Sequence, residues 1–173
     1  MDEFVKALVA NGKSPLIPED ENLYGRFVGE WDFEWNDHLE DAEPRQVKGE
    51  WIFRWVLEGL AVQDVFICPS RATRDITPQS DSAYATTIRM YNPNKNAWDI
   101  LYTEWGCATS LEARKDGDRI VQVATGNDRL RWVFSDITTD SFRWQRMVTT
   151  DGVNWKTEAY ALVTRKVPHD TER

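Results

Sequence analysis

Three ionisable side chains keep step with apolar neighbours at every second position, and chemistry would concentrate on them. Arg146 is in phase with Phe142, Trp144 and Val148, Asp64 with Leu60, Val62 and Phe66, and Glu104 with Trp98, Ile100 and Tyr102. On a β-strand this spacing places each set on one face. If that face is the inner one, each charge leaves water, which is unfavourable unless the charge is paired or used. A carboxylate in apolar surroundings has a raised pKa and can act as a general base, so Asp64 and Glu104 are the candidate catalytic groups. Two carboxylates in one cavity would allow an acid and a base to divide the work. Arg146 or Tyr102 would then stabilise a developing oxyanion, or Arg146 would hold a carboxylate or carbonyl of a bound molecule. The same charges can equally form an ion-pair network that only fills the interior. Arg89 is harder to orient, because both faces of YATTIRMY suit an interior, and Glu158 and Tyr160 share that ambiguity on the last strand.

Strands must position these groups. Phe27, Gly29, Trp31, Phe33 and Trp35 alternate with Glu30, Asp32 and Glu34; Val47, Gly49, Trp51, Phe53, Trp55 and Leu57 alternate with Lys48, Glu50, Arg54 and Glu58. A period of two describes strands with one buried and one wet face. LAVQDVFI, AYATTIRMY, AWDILYTEW, Ser110–Arg114, RIVQVAT, LRWVFSDI, SFRWQRMV and VNWKTEAYALVTR continue the series to nine or ten strands. Asn92-Pro93, Asp116-Gly117, Gly126-Asn127-Asp128 and Asp151-Gly152 supply the turn chemistry between them. Ahead of the strands, Phe4, Val5, Leu8 and Val9 have helical spacing, and Asn11-Gly12 ends that helix. No strand–helix–strand alternation occurs, so the pairing is antiparallel. So many hairpin-linked strands favour closure over a sheet with open edges. The expectation is an all-β, antiparallel up-and-down barrel with a short N-terminal helix; a two-sheet sandwich is the alternative. Residues 1–22 would be helix and connector, 23–166 a single barrel domain, and 167–173 a frayed tail.

Composition narrows the function. The chain has 173 residues, nine of them tryptophan, and a formal net charge of −8. That length suits one domain, and the aromatic content excludes a disordered chain. The acidic balance argues against nucleic-acid binding and against anionic membrane surfaces. There is no apolar run long enough for a membrane helix, and the acids at the start do not fit an export signal, so a cytoplasmic location is expected. Cys68 and Cys107 lack metal spacing and are expected as buried free thiols. His38 and His169 are too few for a histidine metal cluster, a triad or haem ligation, and nucleotide motifs are missing, so no cofactor is expected. Trp51, Phe53, Trp55, Trp132 and Trp144 would give the interior flat apolar walls, with Arg89, Tyr102 and Arg146 as polar contacts. The leading reading is an intracellular binding protein for a small hydrophobic or aromatic molecule. The alternative is a cofactor-free isomerase, cyclase or lyase with Asp64 or Glu104 as base. A homodimer through the Phe4–Val9 helix or a strand edge is compatible with either. A closed pocket under about 300 Å³ would count against both, since ligand sites commonly run from about 300 to 1,000 Å³.

The run Gly29-Glu30-Trp31, the segment Leu23-Tyr24-Gly25 before it and Arg165 near the end of the last strand resemble the calycin superfamily, the lipocalin-like and fatty-acid-binding-like barrels. The resemblance implies that Trp31 packs against Arg165 and closes the base of the barrel, a cation–π contact worth about 0.5–2 kcal/mol. With its Asn92-Pro93 turn the chain is most similar to small bacterial lipocalin-like proteins of unknown function. The Thr-Asp-Tyr turn and the disulfides of secreted lipocalins are missing, which sets it apart from the extracellular carriers.

Overall fold

The computed structural model describes residues 1–167. His169 and most of the expected tail lie outside them. Ten strands close into one barrel: β1 (Gly29–Asp37), β2 (Arg45–Val56), β3 (Ala61–Cys68), β4 (Ala83–Asn92), β5 (Ala97–Glu104), β6 (Cys107–Asp116), β7 (Arg119–Ala124), β8 (Asn127–Ser135), β9 (Ser141–Thr149) and β10 (Trp155–Arg165). Each strand pairs antiparallel with its sequence neighbour, and β10 closes on β1, so the sandwich does not form. The alternating directions give the barrel two different ends. Residues 57–60, 93–96, 117–118 and 136–140 turn at one end, the base; residues 38–44, 69–82, 105–106, 125–126 and 150–154 turn at the other, the mouth.

The base is closed by a plug from the N-terminal connector. A 3-10 turn at Gly25–Phe27 directs Tyr24 and Phe27 inward, where both are fully buried. Phe27 packs on Phe53, Phe134 and Phe142 with ring centroids 4.8 to 5.8 Å apart. Burying such a ring stabilises by about 1.5–3 kcal/mol. Trp31 fixes the turn by donating its indole N–H to the Phe27 carbonyl at 2.7 Å. Arg165 lies 4.0 Å over the Trp31 ring and donates to the carbonyls of Val28, Arg26 and Thr139. The Gly-x-Trp spacing has a steric cause as well. Gly29 has φ +132°, and a Cβ there would lie 2.7 Å from Arg165 Nη1, so a side chain would expel the guanidinium from its seat.

The N-terminal helix α1 (Glu3–Leu8) is capped by the Asp2 side chain, which accepts from the Phe4 N–H. It buries no residue, and Phe4 is 71% exposed. A bridge between Val9 and Val56 and the bond from Ala10 N–H to the Trp55 carbonyl tie the chain to the barrel just after it.

Register settles the inner faces of β4, β7 and β10. Ala85, Thr87 and Arg89 on β4 and Ile120, Gln122 and Ala124 on β7 are buried. On β10 a register shift between Thr157 and Ala159 makes Glu158 the extra residue of a bulge, after which Ala159, Ala161 and Val163 are buried. Tyr160 faces out, beneath the Arg143 guanidinium at 4.7 Å. The expectation of two buried thiols needs correction: Cys68 is buried, but Cys107 begins β6 beside the open mouth and is exposed.

Candidate functional site

Midway up the barrel the interior is polar. Asp64 on β3 and Arg89 on β4 are each 1% exposed and pair at 2.5 Å between Oδ2 and Nη1. The Thr87 N–H donates to the other Asp64 oxygen at 3.1 Å. Arg89 Nε donates to Gln122 Oε1 at 3.4 Å, and the Tyr24 hydroxyl donates to the same oxygen at 2.8 Å. The guanidinium also lies 5.0 to 5.7 Å from the ring centroids of Tyr24, Phe53 and Phe134. Burial pushes the Tyr24 phenol well above its ordinary value, although Arg89 pulls the other way, so it remains a neutral donor. Asp64 therefore meets a paired guanidinium and a backbone N–H rather than the purely apolar surroundings that would ready it as a base. Both its oxygens are in use.

Above this layer, on the mouth side, a cavity of about 230 Å³ opens to solvent. Trp35, Trp51, Phe66, Trp132 and Trp144 form its walls with Leu130, and Thr87 and Arg89 face it from below. The tryptophans brace one another: Trp35 to Trp144 and Trp132 to Trp144 are both 5.5 Å between centroids, and Tyr102 stands edge-on to Trp132 at 5.1 Å. The volume falls below the ~300 Å³ bound set for a closed site. The mouth is open, however, and exposed Asp81 and Cys107 are part of its lining, so a bound molecule can extend past the walls. Surface grooves of larger volume occur, including one of about 710 Å³ near Asn22, Arg119 and Thr138, but no aromatic side chain lines it and most of its lining is polar.

The rim is a set of paired charges. Arg45 bonds Asp37 through Nε at 2.8 Å and through Nη2 at 2.6 Å, and it also bonds Asp81. Burial works to raise the Asp37 carboxyl, but the bonds from Arg45 and Trp35 hold it below its ordinary range. Arg146 is half-exposed and pairs with Glu158 of the β10 bulge at 3.2 Å. Tyr102 is pushed far up by burial and by the neighbouring Glu104 carboxylate. Burial raises the Cys68 thiol to about 12, which makes it inert at neutral pH. Asp37, His38 and Asp81 bring ligand-type atoms within 4.8 Å of one another. Arg45 already bonds both carboxylates, so this cluster is an ion-pair knot with little left to offer a cation.

The structure thus brings together Trp51, Arg89, Tyr102, Glu104, Trp132, Trp144 and Arg146 around the cavity. It separates others from it. Phe53 and Trp55 point inward as their alternation predicts, but they lie lower, packed on the plug: Phe53 touches Phe27, and Trp55 lies against Gly25. Asp64 is not part of the cavity lining, its carboxylate being taken up by Arg89 and the Thr87 N–H. Arg146 reaches the rim rather than the interior, because β9 is near its end there and the bulge brings Glu158 alongside. Sequence reasoning missed Gln122 and Tyr24, the partners of Arg89. Gln122 is in phase with Ile120 and Ala124, a signal that was present but weak; Tyr24 precedes the strands and carries no period at all.

No family model and no curated sequence matches the chain. Solved structures do. Rv2717c from M. tuberculosis superposes with a TM-score of 0.56 at 10% identity, covering 87% of this chain and 99% of that one. The S-type phycobiliprotein lyase CPES from Guillardia theta superposes with a TM-score of 0.56 at 14% identity, covering 86% and 93%. The chain shares with them a ten-stranded antiparallel barrel of calycin-like fold. At these identities the likeness speaks for the fold alone. Among the described residues no helix is long and apolar enough to cross a membrane.

Proposed function

We propose that the protein binds a small hydrophobic or aromatic molecule in the mouth-side cavity. The observation that carries this reading is the division of the interior. Below Arg89 the aromatic rings pack on the Tyr24–Phe27 plug and fill the space, while above it six aromatic side chains face an open cavity of about 230 Å³. Flat rings around such a space favour a planar guest, by stacking and by apolar burial. A 150 Å³ apolar cavity accommodates benzene, so this one takes a guest of about two fused rings, with larger groups emerging at the mouth.

The test is native mass spectrometry of the purified protein, together with titration of a fluorescent apolar probe. A bound mass or saturable probe binding is expected, and Leu130→Trp, which places an indole in the cavity, should abolish either with the fold intact. Probe binding unchanged by that substitution would put the site elsewhere.

A catalytic reading rests on Tyr102 and Glu104. They are neighbours at the cavity wall, and Glu104, unlike Asp64, has no cationic partner among the described residues, so it is the better candidate base. That one structural neighbour is by name a lyase is compatible with it. Turnover that Glu104→Gln leaves unchanged would exclude this version.

A further inference from the structure

We infer that the preferred guest is uncharged and carries a carbonyl-type acceptor at its buried end; this rests on the binding role proposed above. Two observations lead here independently, one from hydrogen bonding and one from charge.

The first is a surplus of donors. Trp51 and Trp132 both belong to the cavity wall, and both are more than nine-tenths buried. Their indole N–H groups have no acceptor, and neither does Nε2 of the fully buried Gln122 beside Arg89. Buried donors ordinarily find a partner, and the ring faces around these two indoles are weak acceptors. The acceptors of the layer beneath are already engaged, Asp64 by Arg89 and Thr87 and Gln122 Oε1 by Tyr24 and Arg89, and none of the acceptors in the cavity lining is bonded to either indole. A guest in the cavity can supply the acceptor that the two indoles lack. An indole turns about χ2 in a broad torsional well, so a ligand in the cavity can draw either N–H toward itself.

The second is the charge count. Each guanidinium in the cavity lining already faces a carboxylate: Arg89 has Asp64, Arg45 has Asp37 and Asp81, and Arg146 has Glu158. Glu104 stands at the wall with no cation of its own among the described residues. An anionic guest would enter a site whose positive charges are neutralised and whose unmatched charge is negative. A ketone, lactone or amide carbonyl meets the donors without that repulsion.

Three bicyclic probes of matched shape separate the alternatives by calorimetric titration: 2-acetylnaphthalene, 2-ethylnaphthalene and 2-naphthoate. The ketone is expected to bind roughly 3- to 10-fold more tightly than the ethyl compound, the yield of one hydrogen bond, and more tightly still than the carboxylate. Trp132→Phe and Trp51→Phe keep a ring and remove the N–H. At least one should abolish the ketone's advantage, read as the ratio of ketone to ethyl-compound affinity within the same variant, so that any loss of ring surface cancels. Equal binding of ketone and ethyl compound by the unaltered protein overturns the inference while leaving the binding role intact, and that comparison needs no variant to fold. A preference for 2-naphthoate overturns it too. If none of the three binds, the binding role itself fails and takes this inference with it.

Discussion

Breaking the Asp64–Arg89 pair from one side is expected to destabilise the barrel far more than replacing the pair as a whole. Both residues are 1% exposed, the N–O distance is 2.5 Å, and the surroundings of the guanidinium are largely aromatic. In Arg89→Met the carboxylate remains buried beside one backbone N–H; in Asp64→Leu the guanidinium keeps only Gln122 and ring faces. Either change strands a buried charge, an effect of about 3–5 kcal/mol. Against a typical total of about 5–15 kcal/mol this is a large fraction. At about 2–4 °C per kcal/mol for a domain of this size, the melting temperature should fall by roughly 6–20 °C. The double variant Asp64→Leu/Arg89→Met leaves no stranded charge. Its main defect is the Thr87 N–H, which loses its side-chain acceptor at about 1–3 kcal/mol. The double variant should therefore be more stable than the sum of its parts by about 2 kcal/mol or more. Urea unfolding followed by tryptophan emission and by circular dichroism measures all four proteins. A loss below about 1 kcal/mol in Arg89→Met, or simple additivity in the double variant, would refute the buried-pair account.

Other consequences of the structure can be checked with similar ease. At pH 8 iodoacetamide should label Cys107, which is exposed at the mouth, and spare Cys68, whose thiol is buried and raised to about 12; peptide mapping decides between them, and early labelling of Cys68 would contradict its burial. Gly49→Ala should destabilise by about 1–3 kcal/mol, because a Cβ there would lie 2.2 Å from Phe33 Cζ and 2.6 Å from the Ile67 carbonyl, and overpacked cores lose about that much. Glu50 is mostly buried; burial works to raise its carboxyl, but the bonds from Arg71 and Lys166 hold it below the ordinary glutamate value. A lowered folded-state value means that its contribution is present above the unfolded-state pKa and is lost as pH falls through the folded one. Glu50→Gln should accordingly be less stable than the parent at pH 7, and the gap should close on going to pH 3. A gap that stays constant in urea titrations across that range would rule the ion pairs out as its source.

The alternation of side chains carried most of the architecture. Trp31, Phe33 and Trp35 against Glu30, Asp32 and Glu34 define an inner and an outer face for β1 whatever the rest of the chain does, because a strand has a strict period of two. Repeated through hairpin turns, that pattern leaves few ways to hide the inner faces other than a closed barrel. The contact of Trp31 with Arg165 was implied only by the resemblance to calycin barrels, and it forms where β1 begins and β10 ends. Alternation failed where phase or height mattered. One extra residue, Glu158, turned Tyr160 outward and brought a carboxylate to Arg146.

From sequence alone, then, come a series of nine or ten strands, the inward direction of Asp64 and of Trp31, Trp35, Trp51, Trp55, Trp132 and Trp144, and the aromatic character of the interior. Tertiary structure alone decides which of those rings face open space. Trp51 and Phe53 are two residues apart on the same face of β2, yet one lines the cavity and the other is packed on Phe27. The partner of Asp64 is likewise set by the register of β3 on β4, and the donor surplus around the cavity by where β7 and the Tyr24 plug arrive. Periodicity reports a side chain's direction from its own strand. Whether it meets another side chain, a plug or a void depends on segments distant in the chain, which meet only when the barrel closes.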